Sequence, residues 1–225
     1  MPLQNRVWPT GEIVADPARG LMMGNRGCLH GRGRELGVSR WRSKLWICCV
    51  LDWKDVQRDP MPPGRWTALF FLDEATALAA GHRPCGYCRR GDYVDFGRAW
   101  QAARSLGDPP RAVEMDAWLH AERVDRTRRK LTHPRELAEL PDGVMVRSGD
   151  GAALLSDGAL RRWSPDGYGA PAAAAPQGLA EVLTPPSIVA AIGAGYRPMV
   201  HASALAGHAA KAGLRRQPPR PAPHT

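Results

Sequence analysis

The sequence predicts an α+β fold in which a small strand–helix domain is followed by a small β-rich unit. Three observations carry this prediction. Residues 45–53 and 67–72 read as apolar strands, and amphipathic helical segments come after them. Beyond Pro141, the turn signals Asp142-Gly143, Gly149-Asp150-Gly151 and Asp157-Gly158 separate three short apolar runs, the spacing of an antiparallel meander. The chain has 225 residues, 44% hydrophobic and 24% charged, which fits one or two small globular domains and excludes a collagen-like or wholly disordered polymer.

Taken in order, residues 1–19 read as an irregular N-terminal segment, and residues 20–140 as the α+β domain. Within the latter, residues 24–37 hold five glycines and three arginines, a composition suited to an amide-lined loop for a phosphate or to a mobile one. The run LWICCVL begins a strand expected to be buried on both faces. Asp73 is a good N-cap for a short helix over 74–80, which Gly81 stops. The phrase Ala80-Gly81-His82-Arg83-Pro84 recurs as Ala194-Gly195-Tyr196-Arg197-Pro198, the grammar of a helix ended by a left-handed glycine and closed by proline. Longer helices are expected over 92–105 and 113–130, the second with Met115, Trp118 and Leu119 toward a core. Residues 141–205 form the β-rich unit, with strands over 144–147, 152–155 and 159–163, a low-complexity linker over 169–178, and a terminal helix entered through Pro185 and Pro186. Residues 206–225 read as a disordered basic tail. The longest apolar run is far too short to cross a bilayer, and the first twenty residues lack the apolar core of a secretion signal. A cytoplasmic protein without a membrane partner is expected.

The formal net charge is +9, and it is clustered. Residues 26–44 carry six basic residues against Glu35, and residues 123–135 carry six against Asp125. Arginine greatly outnumbers lysine, and the guanidinium fork matches a phosphate in two bonds at once. Nucleic acid, DNA first, is the partner this charge predicts. Arg26, Arg32, Arg34, Arg83, Arg89 and Arg90 are the expected phosphate contacts.

Five cysteines, an odd number, argue against a disulfide framework. Cys85 and Cys88 form a C-x-x-C, which indicates zinc or redox chemistry; a helix follows closely enough to lower a thiol pKa in the redox case. Residues 69–88, LFFLDEATALAAGHRPCGYC, resemble the second half of the zinc-binding domain of the Ada family of DNA alkylation-repair proteins. The resemblance implies zinc held by Cys85 and Cys88, in a domain that touches DNA. The family's C-x-x-x-C segment, which bears its methyl-accepting thiolate, has no counterpart here, so methyl transfer is not implied.

Tetrahedral zinc takes four N or S ligands. Neighbouring strand residues face opposite ways, so only one of Cys48 and Cys49 can reach the metal. Their alternation barely separates them, and Cys49 is preferred because the strand is about to leave the core there. For the fourth ligand His30 is taken, with Cys28, Cys48 and His82 left open.

A second polar cluster lies at Asp116, His120 and Arg123, spaced i, i+4 and i+7 along a helix. A carboxylate one turn from an imidazole can orient it for proton transfer; the same pattern also describes an exposed face with ordinary ion pairs. The expected function is a zinc-stabilised nucleic-acid-binding protein linked to DNA repair or modification. A metal-scaffolded, nuclease-like enzyme with His30 or His120 as base and a basic protein–protein adaptor are the alternatives.

Overall fold

The computed structural model describes residues 1–54, 59–172 and 177–205. It is α+β, as the alternation of patterns predicts. Strands β1 (Gln4–Val7), β2 (Ile13–Ala15), β3 (Met22–Asn25), β4 (Ile47–Val50), β5 (Leu69–Phe71) and β6 (Arg83–Pro84) pair into one mixed sheet, in the order β2-β1-β5-β3-β4-β6. The helix α1 (Glu74–Ala79) lies between β5 and β6 in the chain, and α2 (Arg90–Ala103) and α3 (Ala112–Arg123) follow. A second, wholly antiparallel sheet takes β7 (His133–Glu136), β8 (Met145–Ser148), β9 (Gly151–Ser156), β10 (Ala159–Ser164), β11 (Gly167–Pro171) and β12 (Leu179–Val182), in the order β11-β10-β9-β8-β12-β7. The helix α4 (Pro186–Gly193) closes the order of main elements.

Several expectations are corrected. The N-terminal segment is not irregular, because β1 and β2 form one edge of the first sheet and bury Val7 and Ile13. Position 140 is not a structural divide: β7 crosses it to pair with β12, and the core containing Leu78, Phe96 and Met115 also contains Val144, Leu155 and Ile188. The strand at β4 is short, and only Cys48 on it is fully buried. The glycine-rich segment is partly strand. Gly24 sits in β3 between two neighbours, where a Cβ would stand 2.2 Å from the Ile47 carbonyl oxygen, so glycine is there for close backbone approach. The helix α3 stops at Arg123, well short of Lys130. Val124 turns extended, and Asp125 accepts bonds from the Arg129 amide and the Thr127 hydroxyl that close a tight loop. Trp118 turns outward to stack on Trp100, with centroids 5.9 Å apart. The meander and the proline-entered α4 form as the sequence predicts. The basic tail lies outside the described residues, as does part of the 169–178 linker.

The six residues of α1 are all buried. Ala77 packs with the first sheet's core, Ala75 and Ala79 with Met145 and Leu154 of the second sheet, and Leu78 with the α2–α3–α4 cluster. A helix enclosed on every side must satisfy its polar groups internally. Asp73, the predicted N-cap, accepts from the Thr76 amide at 2.8 Å, the Tyr168 hydroxyl at 2.8 Å and the His201 amide at 2.9 Å. Glu74 accepts from Arg89 at 2.8 Å, the Tyr196 hydroxyl at 2.5 Å and the Met199 amide at 2.8 Å. Gly81 ends the helix with φ +88° and Gly195 does the same after α4 with φ +108°, as the repeated phrase predicts.

Removing the charge of Glu74 leaves the buried Arg89 with only the partly exposed Asp92 as counter-charge, a loss toward the lower end of the range of about 3–5 kcal/mol for a broken interior pair. Glu74→Gln is therefore expected to unfold at markedly lower denaturant concentration. Stability equal to that of the parent chain would contradict the role given to this carboxylate.

Candidate metal centre

The C-x-x-C is delivered to the sheet by strand pairing. β6 runs parallel to β4 with Pro84 opposite Cys48, so the next residue, Cys85, emerges beside Cys49. The Cys85 amide donates to the Cys48 carbonyl at 2.9 Å and fixes that level. The chain then turns through Gly86 and Tyr87 and enters α2, whose first turn begins just after Cys88. The thiols thus stand near the positive end of a 14-residue helix, a setting that favours thiolate.

The Sγ atoms of Cys49, Cys85 and Cys88 lie within 4.8 Å of one another, and these three residues can hold a metal ion. Ligands on one tetrahedral zinc, each about 2.3 Å from the metal, stand about 3.8 Å apart, so a small contraction completes the fit. The Tyr87 amide points at the Cys85 sulphur from 3.4 Å. Hydrogen bonding within the trio divides the protons unequally. Cys49 is pushed far up by its bonds to Cys85 and Cys88, and Cys85 is pulled far down by bonds from those same two thiols. The same cysteines line a cup of about 250 Å³ whose walls include Met23, Asn25, Trp53, Trp66 and Tyr87. Trp53 and Tyr87 meet edge to face at 5.5 Å.

Cys49 joins Cys85 and Cys88 as the sequence prefers, and Cys48 faces the opposite way into the core, fully buried among Met22, Leu69 and Phe71. His30 does not join them. Its Nδ1 lies 2.6 Å from the Thr67 hydroxyl and its Nε2 lies 3.1 Å from the Pro62 carbonyl oxygen, so both nitrogens are engaged in tying the glycine-rich loop to the segment that leads into β5. Cys28 turns its sulphur to the His30 carbonyl. His82 is wholly buried and also apart from the trio, its Nδ1 on the Ile47 carbonyl and its Nε2 accepting from Arg26.

The expected phosphate-contacting arginines divide. Arg32, Arg34 and Arg90 are exposed, with Arg34 paired to Asp59. Arg26, Arg83 and Arg89 are interior. Arg83 makes a two-bond pair with Asp116 at 3.1 and 2.6 Å, and Arg89 bridges Glu74 and Asp92. A basic residue's position in the sequence does not show whether its charge is answered inside the fold.

The Asp116–His120–Arg123 set also comes apart. Asp116 is spent on Arg83, and burial holds its carboxyl above the usual range. His120 rests edge-on against Trp41, 4.5 Å between centroids, with no partner at Nδ1. Arg123 turns inward to the carbonyls of Gly81 and Lys44. Among the described residues no carboxylate is hydrogen-bonded to the imidazole. What the sequence reading missed was the aromatic cup, although Tyr87 within the C-x-x-C and Trp53 at the end of the apolar run were its visible parts.

Compared with family models, curated proteins and solved structures, the chain matches none. Among the described residues no helix is long and apolar enough to cross a membrane.

His82 gives a pH signature. Burial, and then the Arg26 charge, hold its pKa well below 6.5, so the folded protein keeps it neutral while the unfolded chain protonates it near pH 6.5. Stability is therefore fully present above that pH. It falls by about 1.4 kcal/mol per unit as the pH drops below it, until the folded pKa is reached. Denaturant melts of the parent and of His82→Gln should show this slope shrinking between pH 6.5 and 5 in the variant. Parallel curves would contradict the assignment.

Proposed function

We propose that the protein is a zinc-binding, nucleic-acid-binding protein in which Cys49, Cys85 and Cys88 ligate the metal. The observation that carries the proposal is the convergence of those sulphurs, one from a sheet strand and two from the turn before α2, into a single cluster. A third sulphur at the C-x-x-C favours a metal over a simple redox pair, and an all-thiolate set favours zinc among common divalent ions. The zinc clamps the 85–88 turn to β4. The nucleic-acid part rests on the +9 charge, on the exposed Arg32, Arg34 and Arg90, and on the resemblance of residues 69–88 to the Ada zinc-binding domain, which links the reading to DNA repair or modification.

One observation favours a metal-dependent enzyme as the second reading. The cluster supplies three ligands and borders an aromatic cup, and three protein ligands with one open position are the pattern of catalytic zinc. In that case the chemistry belongs at the metal's open side, since neither His30 nor His120 stands in the cluster.

Two measurements test the proposal. Purified protein should contain about one zinc per chain, and Cys85→Ser or Cys49→Ser should lose it and melt at lower temperature while still unfolding cooperatively. Full zinc retention by a Cys85→Ser, Cys88→Ser chain would end this reading. Binding to duplex DNA should weaken linearly in log salt, with a slope near −0.9 per phosphate contacted. Arg32→Ala, Arg34→Ala and Arg90→Ala should each reduce the slope by about one contact at most. Absence of binding to any DNA or RNA at low salt would leave the adaptor as the better account. Zinc-dependent turnover of a nucleic acid that survives His120→Ala would favour the enzyme.

A further inference from the structure

A second cavity, of about 380 Å³, opens among the Gly11 turn, β2, residues 40–41 and the loop after α3, and shares no lining residue with the cysteine cup. Its inner wall is cationic. Arg26 and Arg123 line it at 2% and 1% exposure. The loop over 124–130 folds back so that the Leu131 amide bonds the Arg123 carbonyl at 3.1 Å, which returns Lys130 to the same wall. The Arg26 and Arg123 guanidiniums both lie over Trp46, 4.0 and 4.1 Å from its centroid. Trp41 forms a side wall, with exposed Arg40 and Arg128 at the rim and the exposed Glu12 carboxylate, which accepts from the Thr10 hydroxyl, on the opposite lip.

The three inner cations touch carbonyls and a neutral imidazole rather than carboxylates. Arg26 donates to His82 Nε2 at 3.0 Å and to the carbonyls of Gly11 and Ala80. Arg123 donates to the carbonyls of Gly81 and Lys44, and Lys130 to those of Ala79 and Leu183. Among the described residues none of the three takes part in an ion pair, and the Arg123 Nε atom has no hydrogen-bond partner. The carbonyls at residues 79–81 are the end of α1, and a helix end offers at most about half a negative charge. Asp116, which also acts on Arg123, is already paired with Arg83, so the helix end and this shared carboxylate do not answer all three. Enclosing cations with so little counter-charge is costly: burial first, and then neighbouring positive charges, depress Arg26 to about 9 and Lys130 to about 7, and burial depresses Arg123 to about 9 although Asp116 partly offsets it. An anion entering this cavity removes that cost.

We propose that the cavity binds a phosphate monoester, its phosphoryl group on Arg26, Arg123 and Lys130 and its organic part against Trp41. A dianion offsets most of the excess charge, whereas a single carboxylate leaves two cations unanswered. Guanidiniums bind phosphate oxygens through paired, charge-assisted bonds. A phosphodiester within a duplex cannot leave its backbone to reach a recessed wall, but a terminal phosphate can. The site requires neither the zinc nor a polymer, so it stands or falls apart from the function proposed above.

Calorimetry and tryptophan fluorescence on the full chain test it, with inorganic phosphate, a nucleoside 5′-monophosphate, the parent nucleoside, and a short DNA strand with or without a 5′-phosphate as probes. The monophosphate should bind and the nucleoside should not. Lys130→Gln should weaken binding by about tenfold or more, the worth of one charge-assisted bond. Arg40→Gln and Arg128→Gln, at exposed rim positions that leave the fold intact, should weaken it by a smaller factor and steepen nothing else. A phosphorylated strand that binds more tightly than the monophosphate identifies a strand end as the source of the ester, and equal affinity identifies a small ester; both support the site. Failure of every phosphorylated probe to bind at millimolar concentration overturns the proposal. So does binding that Lys130→Gln and both rim variants leave unchanged.

Discussion

The buried carboxylate of Glu74 joins parts of the chain that lie far apart in sequence: Arg89 at the threshold of α2, and Tyr196 and Met199 after α4. Asp73 beside it does the same for Tyr168 in β11 and His201. Both stand at the first turn of α1, where the helix offers its free amides and its positive end. A six-residue helix has little stability of its own in water. It persists here because its small side chains let both sheets and the helical cluster close on it, and because these two carboxylates anchor the returning C-terminal segment. Substituting a larger side chain for Ala75, Ala77 or Ala79 would push apart surfaces that meet only because alanine is there.

Much of this was legible in local pattern. The Asp73 cap, the glycine stops at Gly81 and Gly195, the meander and the proline entry to α4 each depend on residues close in sequence, and each formed as read. Of the candidate ligands, Cys85 and Cys88 followed from spacing, and Cys49 from its place on a strand about to leave the core. What could not be read was pairing at long range. That residues 4–15 form a sheet edge depends on β5, some sixty positions later. That Asp116 answers Arg83 rather than His120 depends on how α3 lies across β6. A helical i, i+4 spacing shows that two side chains share a face; it does not show which of them finds a stronger partner elsewhere.

The charge illustrates the same limit. A net +9 invites the picture of a basic surface, yet Arg26, Arg83, Arg89 and Arg123 are inside. Two of them are answered by buried carboxylates and belong to the architecture. The other two are hydrogen-bonded by carbonyl oxygens and, for Arg26, a neutral imidazole, with no ion pair among the described residues, and they are brought together on one cavity wall. Counting arginines cannot distinguish those populations, because the difference lies entirely in what each guanidinium meets after folding.

The two halves of the cysteine cluster are held in place by contacts that do not involve sulphur. β6 is fixed to β4 by the Cys85 amide on the Cys48 carbonyl, and Arg89, next to Cys88, is anchored on Glu74. The trio is therefore set by the fold's own framework, whereas in very small zinc domains the unfolded apo chain gathers its ligands only when metal binds. In a preset site the free energy of metal binding goes less into folding and more into displacing protons from the thiols. Metal affinity should then follow pH more closely than it follows global stability. The turn through Gly86 and Tyr87 carries one wall of the aromatic cup, with the Tyr87 amide on the Cys85 sulphur and its ring against Trp53, so the sulphurs and the cup share a single short segment of chain.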